Sequence, residues 1–146
     1  MGKAIILASV LLAGAPAWAE GVASLPDRGL LEQHAARRFP QPVRVGDLIG
    51  RKVLEPSERQ GVLGRVLALT RGPDGHVLVL MRYGGVLGIG GRPVAVPVEA
   101  MALLGYDLVA VDYSRAQLDA LPTIAGDTPG LGREETIRVG IAKPYH

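Results

Sequence analysis

Gly84-Gly85-Val86-Leu87-Gly88-Ile89-Gly90-Gly91-Arg92-Pro93-Val94-Ala95-Val96-Pro97 is a glycine-rich turn that feeds a short apolar strand closed by a proline. Just upstream, Val77-Leu78-Val79-Leu80-Met81-Arg82-Tyr83 has the β-branched and aromatic composition of a strand. The chain must reverse sharply between the two. At least one of Gly84 and Gly85 is therefore expected at positive φ, where glycine alone enters without steric cost.

The same punctuation extends in both directions. Strand signals fall at 52–54, 64–70, 76–83, 94–96, 101–103 and 108–111. Between them stand turn residues: Pro56-Ser57-Glu58, Gly72-Pro73-Asp74-Gly75 and the glycine run. Proline presets one torsion of the 72–75 turn and Gly75 accepts a positive one, so this is the clearest hairpin. Short strands at such spacing predict a mainly β fold. In a chain this small they predict a six-stranded barrel, because closure removes exposed sheet edges.

Alternation refines the hairpin. Arg65 must face outward, which carries Leu67 and Leu69 outward with it; Arg82 likewise carries Leu78 and Leu80. Four leucines on an outer face need a cover or a purpose. A helix or the C-terminal segment covers them, a bulge resets the parity, or they form a partner-binding patch.

Helices are expected at both ends of the strand block. Asp27 is placed to cap a short helix whose Leu30, Leu31, Ala35 and Phe39 share a face, with Pro40 ending it. Ser114 is placed to cap a second over 115–120, with Leu118 and Leu121 turned to the barrel and Pro122 closing it. Residues 123–146 read as a Gly/Pro-rich tail, flexible around 126–132. In it Ile137, Val139 and Ile141 alternate with Arg138 and Gly140 as in a strand. Such a segment pairs with its own sheet or with another chain's edge. With the four leucines, these three residues make up the candidate partner-binding set.

Met1-Gly2-Lys3, an apolar run over 4–13, and Ala17-Trp18-Ala19 before Glu20 have the order of a cleaved secretory signal. The apolar run is shorter than the roughly 20 residues a spanning helix needs. The expectation is export to the periplasm with cleavage after Ala19, leaving a leader over 20–42, a barrel over 43–122 and the tail. The chain has no cysteine, so the core alone must hold the fold. Hydrophobic residues make up 48% of the sequence, enough for one packed domain.

The net charge of +2 is too small to point to nucleic acid, and Lys3 leaves with the signal. Charge is unevenly spread, however. Residues 28–92 hold 11 basic and 5 acidic side chains, whereas 93–146 hold 4 and 7. One face can thus be basic. A single phenylalanine, and a single tryptophan that lies in the signal, supply no stacking platform for bases.

Catalytic patterns are scarce. His34, His76 and His146 are widely spaced rather than clustered as zinc ligands. The glycine run is followed by a strand where a dinucleotide site needs a helix, and no Gly-x-Ser-x-Gly elbow occurs. The least weak catalytic candidate is the carboxylate pair Asp107 and Asp112, which bracket the last strand of the block beside Tyr106 and Tyr113. Lying at opposite ends of that strand, they are too far apart to cooperate.

Val45-Gly46-Asp47-Leu48-Ile49-Gly50-Arg51-Lys52-Val53, Gly61-Val62-Leu63-Gly64-Arg65-Val66, the glycine corner running into Val94-Ala95-Val96-Pro97, and Leu118-Asp119-Ala120-Leu121-Pro122 together resemble the PRC-barrel family over residues 43–122. The resemblance implies a small six-stranded barrel of the kind found in the photosynthetic reaction-centre H subunit and in a ribosome maturation factor. It also implies an assembly or adaptor role with no catalytic residues to carry over and no cofactor. The expected function is a protein-binding adaptor. The alternative is a peripheral envelope module holding anionic lipid on its basic half, and an enzyme built on Asp107 and Asp112 comes third.

Overall fold

The computed structural model describes residues 24–85, 89–125 and 128–143. The proposed signal, the centre of the glycine corner at 86–88, residues 126–127 and the last three residues lie outside that description. Eight strands form one mixed sheet: β1 (Gln41–Arg44), β2 (Lys52–Leu54), β3 (Val62–Arg71), β4 (Val77–Tyr83), β5 (Arg92–Pro97), β6 (Met101–Leu104), β7 (Asp107–Ala110) and β8 (Thr136–Ile141). Among the described residues three short α-helices, α1 (Arg28–Ala36), α2 (Val45–Leu48) and α3 (Arg115–Asp119), and a 3-10 turn over Val98–Ala100 join them.

The strand order is β1-β8-β6-β7-β2-β3-β4-β5. Only the β2–β7 and β6–β8 pairs are parallel. The six strands from β2 to β7 are those expected from the sequence, and they lie side by side in the order β6-β7-β2-β3-β4-β5. A closed six-stranded barrel would need β5 to pair with β6. Instead β8 takes the free edge of β6, placing Ala102 opposite Gly140 and Leu103 opposite Ile141, and β1 adds beyond it. The sheet is therefore mainly β as expected, but open and eight-stranded.

Although the sheet is open, it wraps one core. Val79 and Met81 of β4, Val94 and Val96 of β5, and Ile137 and Val139 of β8 belong to the same buried cluster, which Leu31, Leu48 and Leu118 enter from the three helices. Leu31 is the only buried residue of α1; Leu30 and Phe39 are exposed. Phe39 leaves the expected helical face because α1 ends at Ala36 and Phe39 adopts a φ of 52°.

The helix caps form as the sequence suggests. The Asp27 carboxylate accepts the Leu30 N–H at 3.3 Å. Ser114 and Gln117 form a reciprocal capping box at the start of α3. At the other end of α3, the Arg92 guanidinium donates to the carbonyls of Leu118, Asp119 and Leu121. Beside it the Tyr83 hydroxyl donates to Asp119. Burial and that carboxylate push the Tyr83 phenol up to about 12.

A cluster of charges fixes α1 to the sheet. Arg38 grips Asp112 with two hydrogen bonds of 2.8 and 3.1 Å, and His34 Nδ1 donates to the same carboxylate at 2.9 Å. Arg28 pairs with Asp74, and His76 lies between Glu32 and Glu99. Burial pushes the Asp112 carboxyl up, but the hydrogen bonds and charges of Arg38 and His34 outweigh it and hold the group below its ordinary value. A folded-state value below the unfolded one stabilises the fold above the unfolded value of about 3.9 and is lost as pH falls through the folded value. Acid titration should thus release α1 below about pH 4. Asp112→Asn should cost about 1–3 kcal/mol at neutral pH and remove that part of the acid dependence. Thermal melts of both proteins across the acid range check this.

Candidate functional site: the outer face of β2–β4

One stretch of the outer surface combines exposed cations with exposed apolar side chains in a groove. Lys52 of β2 stands directly opposite Arg65 of β3, and Arg65 stands directly opposite Arg82 of β4. Three cations therefore form a row across three neighbouring strands, all exposed. Among the described residues no carboxylate lies within ion-pair distance of any of them. Arg65 donates to the Gly50 carbonyl at 3.1 Å. Five arginines elsewhere are tied down by side chains or by a helix end: Arg28, Arg38 and Arg115 by carboxylates, Arg92 by α3, and Arg51 stacked 4.6 Å from the centre of the Tyr106 ring.

A bulge shapes the apolar part of this face. The β3–β4 register shifts between Val66 and Ala68, leaving Leu67 outside the ladder. Leu67 stays outward and 39% exposed, whereas Leu69 turns inward and is fully buried opposite Val79. This corrects the expectation that Leu69 belongs to an outer leucine patch. Leu78 and Leu80 do share the outer side with Arg82, but Leu80 is buried and Leu78 half-buried. Their cross-strand partners are Thr70 and Ala68, along which residues 129–131 run. The Thr70 hydroxyl donates to the Pro129 carbonyl at 2.7 Å and Leu131 N–H to the Leu69 carbonyl at 2.6 Å.

The remaining candidates part in the same way. Ile137 and Val139 are buried in the protein's own core, because β8 pairs with β1 and β6. They present nothing to a partner. Ile141 remains exposed at the end of the strand. Of the seven candidate residues, Leu67 alone lies in the open groove. Val62, 55% exposed, joins it there, a residue the sequence reading did not single out.

The groove has a volume of about 550 Å³ and is lined by the cation row, Val62, Leu67 and the stems of the glycine corner. Gly84, Gly85, Gly90 and Gly91 all have φ between 81° and 86°. That meets the expectation for Gly84 and Gly85. A side chain on Gly85 would strike the Ile89 carbonyl oxygen at 2.7 Å, and one on Gly91 the Tyr83 carbonyl oxygen at 2.8 Å. The two legs of the corner can run this close only as glycine.

Asp112 is committed to Arg38 and His34, and Asp107 opens β7 at the far end from it. Among the described residues no group of three His, Asp or Glu side chains is placed to hold a metal ion, and no helix is long and apolar enough to cross a membrane. The chain matches no protein-family model, and no curated protein sequence matches it.

Proposed function

We propose that this chain is an exported, non-catalytic binding module of PRC-barrel type that holds a partner protein on the outer face of β2–β4. The observation that carries this reading is the groove itself. Exposed Val62 and Leu67 sit beside cations without counter-charges, on a sheet whose other face is fully packed. The resemblance to PRC-barrels is supported by the six strands at their expected places, the left-handed glycine corner and the closing α3. Engagement of Asp112 by His34 of α1 and by Arg38 just beyond it speaks against a catalytic pair with Asp107.

Capture from an envelope extract tests the binding role. The chain from residue 20 onward should capture a specific protein, and Leu67→Asp should lose it. A second reading, anionic lipid on the same cations, predicts vesicle binding that collapses with salt and no protein captured through Leu67. Export has its own test. Protein recovered from the cell envelope should have an intact mass beginning at Glu20 and lack tryptophan absorbance, since the only tryptophan is Trp18. Full-length protein in the membrane pellet would overturn export.

A further inference from the structure

Like charges placed directly opposite on neighbouring strands destabilise a sheet. Lys52, Arg65 and Arg82 are so placed, twice over. Within the fold, only Arg65 has a described side-chain hydrogen bond, to the exposed Gly50 carbonyl, and that bond does not need a cation at all three positions. All three side chains are exposed, and a single acidic residue at position 65 would turn two repulsions into two attractions. The row is thus a local cost to the fold, and an external anion would remove it.

The shape around the row narrows the anion's chemistry. Neighbouring strands lie about 4.8 Å apart, so the row spans about 10 Å. An extended peptide carries alternate side chains about 6.6 Å apart on one side. Two carboxylates at alternate positions then fall within reach of the three long cationic side chains. An apolar side chain beside them meets Val62 and Leu67 on the groove floor. The groove lining contains no aromatic residue on which a nucleic-acid base could stack. Its concavity and three cations also suit a flat anionic bilayer poorly, for which clusters of about 4–8 basic residues are the usual signature.

We infer that the Lys52–Arg65–Arg82 groove receives an extended acidic segment of the partner protein, with carboxylates at alternate positions and an apolar side chain between the acidic stretch and Leu67. This rests on the reading that the outer face of β2–β4 is the binding face, and it adds the chemistry of what binds.

The test uses the chain from residue 20 onward and four probes: a peptide alternating Glu with Leu and Ser, its Lys counterpart, phosphatidylglycerol vesicles, and a single-stranded DNA oligonucleotide. The Glu peptide should bind and shift the backbone amide resonances of Lys52, Arg65, Arg82 and Gly84. The Lys peptide should not. Arg65→Glu should weaken the Glu peptide by about tenfold or more while raising the melting temperature by about 2–5 °C. A better-folded protein that binds worse separates recognition from a folding defect. Binding of vesicles or DNA without the Glu peptide would overturn the inference, and so would undiminished peptide binding by Arg65→Glu. Envelope capture distinguishes the two levels. If capture needs Leu67 but is unchanged by Arg65→Glu, the acidic chemistry is wrong and the binding face stands; if neither substitution matters, both fall.

Discussion

A chain ending at residue 122 should not fold cooperatively. β8 lies between β1 and β6, so its removal leaves β1 with no neighbour and strips one edge of β6. Ile137 and Val139 leave the core, each worth about 1.5–3 kcal/mol of burial. The backbone bonds from Val45 and Gly46 to the carbonyls of Glu135 and Arg133 are lost, as is the bond from Leu131 to Leu69. These losses are comparable with the total stability of a domain this size, about 5–15 kcal/mol. The expected result is a broad or absent melt with self-association through the bared edge. Hydrogen exchange in the intact chain should correspondingly be slow across β8. A truncated chain that melts like the whole would show β8 to be an accessory.

Gly64→Ala should be the most damaging single methyl addition in the sheet. Gly64 sits in β3 opposite Tyr83. A Cβ there would meet the Arg82 carbonyl carbon at 2.8 Å and the Met81 methyl at 3.1 Å. Backbone cannot yield as a flexible side-chain tip does, so β3 would be levered from β4 at the floor of the groove. Overpacking of this kind costs about 1–3 kcal/mol, occasionally more, which lowers the melting temperature by about 10 °C. Gly50→Ala offers the contrast. Its Cβ would meet nothing within 4 Å, but its φ is 85°, so the cost of about 1 kcal/mol is torsional. Equal melts for the two variants would mean that the close approach at Gly64 is relieved without cost.

The bulge explains both what the sequence revealed and what it hid. The 72–75 turn was legible, and it sets Arg71 opposite Val77. An unbroken ladder from there would put Arg65 opposite Tyr83 and turn a charge into the core. Charge alone therefore demanded one extra residue between Arg65 and the turn. Placing that residue at Leu67 depends on packing between strands, which periodicity within one strand does not record. The slip turned Leu69 inward, and the same slip brought Arg65 opposite Arg82.

Lys52 was legible as a strand residue, but its place opposite Arg65 follows from β2–β3 register, again a property of pairing rather than of either strand. The open edge has a similar origin. Ile137, Val139 and Ile141 announced a strand, yet which edge it would take depended on β6 being free. Local signals fared better. The Asp27 and Ser114 caps, the Gly84–Gly85 reversal and the position of α3 all depend on residues within a few positions of one another.

Site-specific photo-crosslinking in living cells tests the central claim most directly. A photoreactive residue replaces Leu67, and a control replaces Ile141, which is also exposed but lies on the other side of β6, outside the groove. The account predicts a discrete protein adduct from position 67, absent from position 141, with the crosslinked segment of the partner rich in Asp and Glu. Lipid adducts alone, or no adduct at position 67, would contradict it.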